Sequence, residues 1–355
     1  MDDAQITPRA PRAAAAQSRT KTINLALQGG GAHGAFTWGV LDRLLEDGRI
    51  AIEGISATSA GAMNATVLAY GHAVGGPEGA RRALAGFWRR ISHAAGMGPL
   101  QPTLLDRMLG NRGLAYSPAF LMFDLVTRLL SPYQFNPLNH NPLREVLLQT
   151  VDFDVLRGAG APIKLFLSAT NVRTGKIKVF DNAEIGVDAV LASGCLPFLF
   201  QAVAIGGEHY WDGGYMGNPA LFPLMAGCAS RDILVVHINP LERDGVPQTA
   251  SDILNRINEI SFNSSLMREM RAISFVTRLI DDGTADKNRL KRMLIHGIAA
   301  DEVMTALGVA SKLNADWEFL IELRDLGRQH AARWLEESYD RIGRESTIDI
   351  RERFL

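Results

Sequence analysis

Short apolar runs alternate with amphipathic segments along the first two thirds of the chain. Residues 22–28 (TINLALQ) form a run short enough for a buried strand, and the glycine-rich GGGAHG at 29–34 ends it. Residues 35–48 then place apolar side chains at helical spacing and finish with Gly48. The pattern repeats with IEGISAT at 52–58 and a helical segment at 60–73. Strands and helices joined by tight glycine turns predict a parallel sheet with helices on both faces.

The middle of the chain adds further strands to this prediction. Residues 77–150 have a helical pattern that several prolines interrupt, and residues 161–180 and 202–214 each have the pattern of a hairpin. Residues 232–240 (DILVVHINP) contain a last buried strand. The predicted fold class is therefore α/β, with three α/β/α layers and a mostly parallel central sheet.

Helix-forming residues dominate after Pro240. A helix over residues 251–280 is predicted to carry isoleucines and methionines on roughly one face, with arginines among them. Such a helix could lie on a membrane surface, but arginines on a solvated face are common, which favours packing on the protein's own domain. We predict a disordered segment at 1–21, a domain at 22–241 and a helical C-terminal extension at 242–355 packed on the core.

Composition excludes some classes of function. The 355 residues contain 37 Lys and Arg against 38 Asp and Glu, which gives no support for nucleic-acid binding. Cys195 and Cys228 are far apart and suggest neither a disulfide framework nor a zinc site. The first twenty residues lack the apolar region of a secretory signal, and the uncharged stretches 54–76 and 189–207 are too polar for membrane spans. A cytoplasmic location is expected.

The glycine-rich loop at 29–34 is a candidate anion site. Consecutive glycines between a strand and a helix expose backbone N–H groups that can receive a phosphate or a developing oxyanion. Gly29, Gly31 and Gly34 also match G-x-G-x-x-G, the dinucleotide-binding pattern. That pattern expects an acid at the carboxyl end of the next strand. Glu53 lies at the beginning of its strand instead, and the far end carries Ser59.

Ser59 lies where a predicted strand meets a predicted helix. A nucleophilic serine needs an exposed Oγ and a nearby base, and the sharp turn that exposes it demands small residues two positions before and after. Gly61 meets this demand, and Ala57 adds one methyl group. A serine here can equally cap the helix that follows.

Asp212 ends a predicted strand and is followed by Gly213 and Gly214. The two glycines allow the backbone to bring the carboxylate close to another loop, where it could act as a base for a serine. Aspartate is also common in turns for structural reasons, so this motif alone leaves both interpretations open.

The ordered set of motifs resembles the patatin-like phospholipase family. GGGAHG at 29–34 is similar to its oxyanion loop, ATSAG at 57–61 to its nucleophile elbow and DGG at 212–214 to its Asp-Gly-Gly/Ala motif. ASGCLPFLF at 192–200 resembles the segment before that aspartate. The resemblance covers roughly residues 22–240 and implies a patatin-like three-layer fold.

The resemblance also implies a mechanism. Ser59 would be the nucleophile and Asp212 the general base, without a histidine, metal or cofactor. The expected activity is hydrolysis of lipid or fatty-acyl esters, with peripheral membrane contact and no nucleic-acid partner. Gly29, Gly30, Gly31 and Ala60 are assigned to the oxyanion hole, and the motif positions are Gly34, Ala57, Gly61, Gly213 and Gly214.

Two departures from the family pattern leave alternatives open. Ala57 replaces the usual glycine of the elbow, so a catalytically inactive binding or regulatory protein of the same fold is one alternative. His33 stands where the family often has Arg or Lys, so a titrating group could replace a fixed charge.

The order Ser59, Asp212, His237 also matches an α/β-hydrolase triad. A dinucleotide-binding oxidoreductase is the remaining alternative.

Overall fold

The computed structural model describes residues 20–96, 117–158, 160–284 and 290–355. The first strand begins at Lys21, and residues 1–19 of the predicted disordered segment lie outside the described residues. Residues 97–116, with two of the interrupting prolines, also lie outside them.

A single mixed sheet confirms the predicted α/β class. Strands β8, β7, β1, β2 and β3 run parallel to one another, and β4, β5 and β6 join as antiparallel strands at the β3 side. In the described part of the chain the strands are β1 (Lys21–Leu27), β2 (Ile50–Ala57), β3 (Lys164–Asn171), β4 (Ile177–Asp181), β5 (Val203–Ile205), β6 (Glu208–Asp212), β7 (Asp232–Val236) and β8 (Leu294–Ile298).

Helices connect and cover these strands. The long α2 is interrupted by non-helical backbone at Gly75 and Gly76, and Pro77 begins its second part. Among the described residues the helices are α1 (Gly34–Asp47), α2 (Ala60–Gly96), α3 (Pro118–Leu129), α4 (Pro132–Phe135), α5 (Pro142–Leu148), α6 (Phe153–Arg157), α7 (Val187–Ser193), α8 (Phe222–Gly227), α9 (Ala250–Asp281), α10 (Asp301–Ala306), α11 (Trp317–Ser338) and α12 (Ile350–Phe354).

Strand β3 holds β2 and β6 end to end along one of its edges. Leu167 of β3 pairs with Ala57 of β2 and, on its other edge, with β4. Ala169, two residues further on, pairs with Asp212 of β6 and again with β4. Because β4 occupies the opposite edge at both positions, β2 and β6 share the remaining one. Their carboxyl ends therefore point at each other, roughly 7 Å apart along β3.

The C-terminal extension is built into the domain. Its strand β8 pairs in parallel with β7, an element that the prediction of a helical extension did not include. The five residues LIHGI, of which three are apolar, are too short to show a period that separates a buried strand from a helix, so tertiary pairing decided this element. Helix α11 packs on α1, where Gly39 faces the backbone of Arg324 and Gly327 faces that of Phe36.

The apolar face that the sequence predicts for helix α9 is buried in one half of the helix and exposed in the other. Leu266, Met270 and Ile273 in its second half are buried in a core cluster with β7 and β8. Ile257 and Ile260 in its first half are each 55% exposed. The apolar face therefore packs on the protein's own domain in the second half only, whereas the first half is anchored by buried polar side chains such as Glu259.

The described helices include none with the length and apolar content needed to cross a bilayer.

The packing of α11 on α1 gives a test of how tightly the extension is attached. We expect Gly39→Val to lower the free energy of unfolding by at least about 2 kcal/mol, because a side chain at this position would overlap the Arg324 carbonyl. Urea unfolding followed by circular dichroism measures the change. As a control, Gly86→Ala in α2 meets only the flexible end of Arg90 and should be neutral or stabilising. Equal stability of Gly39→Val and the wild type would contradict the packing.

Candidate active site

Ser59 occupies a sharp turn between β2 and α2. Its φ of 56° lies in the left-handed region, which side chains other than glycine seldom adopt. Ala57 is the last residue of β2 and is completely buried, so the strained position of the elbow is the serine itself and the alanine methyl is accommodated in the core. A Cβ at Gly61 would overlap the Leu27 carbonyl, which explains the need for glycine there.

Neighbouring segments fix this turn. The Ser59 N–H donates to Ser193 Oγ at 2.9 Å, and Thr58 Oγ1 donates to the Gly217 carbonyl at 2.6 Å. The Gly61 N–H donates to the Thr58 carbonyl at 2.9 Å, so backbone atoms close the first turn of α2. Ser193 was not predicted from the sequence; its only signal is its place in the ASGCLPFLF motif.

The glycine-rich loop lies directly against Ser59. A Cβ on Gly29 would be 2.5 Å from Ser59 Cβ, and one on Gly34 would be 2.8 Å from Ala60 Cβ, so neither position has room for a side chain. The Gly29 N–H donates to Asn218 Oδ1 at 2.7 Å and is therefore already used. The N–H groups of Gly30, Gly31 and Ala60 have no recorded hydrogen-bond partner among the described residues.

Three buried amide side chains hold the loop in place. Gln28 Oε1 accepts from the N–H groups of Ile238 and Asn239, at 3.0 and 3.1 Å, and its Nε2 donates to the Asn218 carbonyl. Asn239 Nδ2 donates to the Gly29 carbonyl at 2.6 Å. The sequence analysis missed all three side chains. The sequence features that could have revealed them are the polar Gln28 at a strand end and the Asn-Pro pairs at Asn218 and Asn239, beside buried segments.

Asp212 is brought to the same place by β6. Its backbone N–H donates to the Cys195 carbonyl at 2.8 Å and its Oδ1 accepts from the Gly214 N–H at 2.7 Å. A Cβ at Gly213 would overlap the Ser168 carbonyl, so this turn needs its glycine. The carboxylate is completely buried.

Burial raises the pKa of Asp212 to about 7, although the Gly214 N–H and the Ser59 hydroxyl both lower it. The hydroxyl is thus close enough to influence the carboxylate, while Asp212 Oδ2 has no hydrogen-bond partner of ordinary geometry among the described residues. Catalytic hydrogen bonds are often long or poorly aligned until substrate binds. The arrangement provides a serine hydroxyl, a neighbouring base that titrates near neutrality, and free N–H groups beside both.

His237 does not form a triad with these residues. It follows β7, is buried against the Phe354 ring at 5.6 Å, and neither ring nitrogen has a partner among the described residues. Burial, with a smaller effect from Arg353, lowers the pKa of His237 to about 3. Asp212 therefore does not orient this imidazole as a triad requires.

Two other predicted features receive structural roles. His33 is buried and its Nε2 lies 2.7 Å from Ser311 Oγ; burial, followed by Lys312 and Arg243, lowers its pKa to about 3, so it does not titrate near neutrality. Glu53 accepts from the N–H groups of Ala229 and Ser230 at the opposite end of the sheet from Ser59. It is not placed to bind a ribose beside the glycine loop.

An apolar cavity of about 440 Å³ opens beside Ser59. Helix α2 lines it with Met63, Phe87, Trp88 and Ile91, and the segment after α7 adds Leu199 and Phe200. Gly31 and Ala60 border it on the side of the free N–H groups. The lining is mostly apolar, with Ser59 among its few polar residues.

The described ranges contain neither a candidate metal site nor a reactive cysteine. They contain no group of three or more His, Cys, Asp or Glu side chains that could hold a metal ion. Cys195 and Cys228 are both free and buried. Burial raises the pKa of Cys195 to about 12, so this thiol is inert beside Asp212.

Solved structures that are similar to this chain include two bacterial proteins. VipD from Legionella pneumophila is 17% identical, with a TM-score of 0.43, over 90% of this chain and 67% of the VipD chain. ExoU from Pseudomonas aeruginosa, in complex with SpcU, is 16% identical, with a TM-score of 0.32, over 90% of this chain and 54% of the ExoU chain. This chain therefore spans about half the length of ExoU. No curated protein matches the sequence.

The family profile described as patatin-like phospholipase matches residues 25–225 and includes Ser59, Asp212 and the glycine-rich loop. Since this match covers more than half of the chain, the protein belongs to the patatin-like phospholipase family.

Proposed function

We propose that this protein is a lipid acyl hydrolase that cleaves carboxylic esters with a Ser59–Asp212 dyad. The proposal rests on one observation: both side chains lie next to each other at the apolar cavity. Beside them are the N–H groups of Gly30, Gly31 and Ala60, which have no partner among the described residues. A nucleophile, a base, an oxyanion site and an acyl site are the four parts that ester hydrolysis needs.

In the first half of the reaction, Ser59 Oγ attacks the ester carbonyl carbon while Asp212 accepts the hydroxyl proton. The carbonyl oxygen becomes an oxyanion, which the N–H groups of Gly30, Gly31 and Ala60 stabilise. The intermediate then collapses: the bond to the alcohol oxygen breaks, and Asp212 returns the proton to that oxygen. The product is an acyl-Ser59 ester.

In the second half, water attacks the acyl-Ser59 carbonyl and Asp212 accepts one of its protons. The same N–H groups stabilise the second oxyanion. Its collapse releases a carboxylic acid and returns the proton to Ser59 Oγ. An ionised Asp212 begins and ends the cycle.

The cavity suits the acyl chain of the substrate. Its lining is almost wholly apolar, with the aromatic rings of Phe87, Trp88 and Phe200, and it begins at Ser59. Binding an alkyl chain there places the ester carbonyl between Oγ and the glycine loop. A catalytically inactive lipid-binding protein would use the same cavity, so this feature alone does not distinguish the two functions.

We further propose that helix α3 contacts the lipid surface from which the substrate comes. None of its residues is buried, and Leu121, Met122 and Leu125 are 50–63% exposed. Phe123 of the same helix lines the cavity. Asp124 and Arg128 pair at 2.7 Å, so the helix presents little net charge. An apolar, nearly neutral surface at a cavity mouth fits insertion among lipid head groups.

A cytoplasmic location with peripheral membrane contact remains our proposal for where the protein acts. It is supported by the free, buried thiols of Cys195 and Cys228 and by the exposed side chains of α3.

Replacing the nucleophile tests the proposed reaction. Ser59→Ala should reduce hydrolysis of short p-nitrophenyl esters by about 10³-fold or more, because no other group can form the acyl intermediate. It should also abolish labelling by a fluorophosphonate probe. Ser92→Ala, at the far end of the same helix, is the matched control and should retain both. If Ser59→Ala were as active as the wild type, or if the wild type took up no probe, the dyad would be rejected.

The pKa of Asp212 predicts the pH profile. Because the base must be ionised, kcat/KM should rise with pH up to about 7 and level off above it, falling about tenfold for each unit below. Asp212→Asn should remove the activity, whereas His237→Ala should keep both rate and profile.

A second buried carboxylate provides the control for this profile. Burial also raises the pKa of Glu269 to about 7, and it accepts from the N–H groups of Leu221 and Phe222. Glu269→Gln should leave the inflection in place. If the inflection disappeared in Glu269→Gln, the titrating group would be Glu269 and not Asp212.

Vesicle binding tests the role of α3. The triple variant Leu121→Ser, Met122→Ser, Leu125→Ser should reduce co-sedimentation with phosphatidylcholine vesicles at least fivefold, while activity on soluble esters changes little. The matched control replaces Ile253, Ile257 and Ile260, the exposed stripe of α9, with serine. Loss of binding in the control and not in the α3 variant would move the membrane contact to α9.

A further inference from the structure

The C-terminal extension places a lysine behind the glycine-rich loop. Lys312 belongs to a short 3₁₀ turn, Val309–Leu313, far beyond the part of the chain that the family profile matches. Its Nζ donates to Asn239 Oδ1 at 3.1 Å. The Nδ2 of the same Asn239 side chain donates to the Gly29 carbonyl at 2.6 Å. An ammonium group, an amide and the loop backbone thus form one continuous chain of hydrogen bonds.

The last bond of this chain acts on the oxyanion site. The Gly29 carbonyl and the Gly30 N–H belong to the same peptide group, whose resonance couples the two. A donor that polarises the carbonyl increases the positive partial charge on the N–H, and a charged donor at the start of the chain strengthens each following bond. The Gly30 N–H has no hydrogen-bond partner among the described residues and lies next to Gly31, which borders the cavity.

Charged side chains lie close to Lys312, among them Glu259 and Arg243. Glu259 of α9 has a completely buried carboxylate and binds Arg243 at 2.7 Å and Arg256 at 3.4 Å. Two arginines therefore share one carboxylate in this cluster. Burial lowers the pKa of Lys312, Glu259 raises it, and Arg243 lowers it by a smaller amount. Burial is also the main cause of the low pKa of His33, to which Lys312 and Arg243 contribute as neighbouring cations.

Close packing makes this arrangement rigid. Gly31 has a φ of 60°, and a Cβ there would overlap the Lys312 carbonyl. A Cβ on Gly30 would lie 2.8 Å from Ile238 Cδ1. The loop therefore has little freedom to reorient when charge develops on the substrate, which is the condition under which fixed dipoles lower a barrier.

We propose that Lys312 is a positioning residue for this hydrolase, which polarises the Gly29–Gly30 peptide through Asn239 and so strengthens the oxyanion site. The inference rests on the proposed function and assigns part of the catalytic apparatus to the extension. Lys312 borders the cavity, but its Nζ is bonded to Asn239 Oδ1, so it acts on the loop through that side chain. Since the oxyanion exists only in the tetrahedral states, the effect belongs to kcat and not to the binding of substrate.

Lys312→Met tests this proposal, because methionine keeps most of the stem and removes the charge and the donor. We expect kcat on p-nitrophenyl butyrate to fall about tenfold, less than the 10²–10³ loss typical of a direct oxyanion donor, with KM changed by less than about twofold. Lys291→Met is the matched control. Lys291 also belongs to the extension and donates to backbone carbonyls, those of Met225 and Cys228, and its replacement should leave kcat unchanged.

A double-mutant cycle with Asn239→Leu tests the route. If Asn239 transmits the effect, Lys312→Met should cost little further kcat once Asn239 is replaced. Additive losses, an unchanged kcat in Lys312→Met, or a rise in KM that accounts for the loss would each overturn the proposal. If the circular dichroism spectrum shows that Asn239→Leu is unfolded, the kcat and KM of Lys312→Met alone decide whether Lys312 strengthens the oxyanion site. These results are separate from the dyad, which stands or falls with Ser59→Ala.

Discussion

The edge that β2 and β6 share on strand β3 is the constraint on which the site depends. A strand has only two edges, and β4 occupies one of them at both Leu167 and Ala169. The carboxyl ends of β2 and β6 must therefore meet on the other edge, and these ends bring Ser59 and Asp212 together. Two residues far apart in the chain become neighbours because backbone hydrogen bonds fix the register of the strands. Their proximity therefore does not depend on a direct contact between their side chains.

Both reactive residues are held in states that are unfavourable in isolation. A serine at φ 56° costs about 1–3 kcal/mol, and a buried carboxylate with one unpaired oxygen loses most of its solvation. The surrounding contacts offset these costs: Ser193 and Gly217 hold the turn, and the Gly214 N–H binds the carboxylate. The same features give the serine its sharp turn and the aspartate a pKa near neutrality, and these are the properties that the proposed reaction would use.

The C-terminal extension is part of this apparatus as well as of the fold. Strand β8 continues the sheet, α11 covers α1, and the cluster around Glu259 stands behind the glycine-rich loop. In the proposed mechanism Lys312 of the extension supplies the cation that the loop itself lacks at His33, so the oxyanion site would depend on residues from both parts of the chain.

The sequence alone determined the strands up to β7 and the motif residues, because apolar periodicity, glycine turns and the order of the three motifs are local properties. Only the tertiary structure decided the rest. It placed the strain of the elbow at Ser59 instead of Ala57, removed His237 from the site, added β8 to the sheet, and recruited Asn218, Asn239 and Lys312. These outcomes depend on which backbone groups are left unpaired and which side chains are buried together, and such pairings between distant segments leave no periodic trace in the chain.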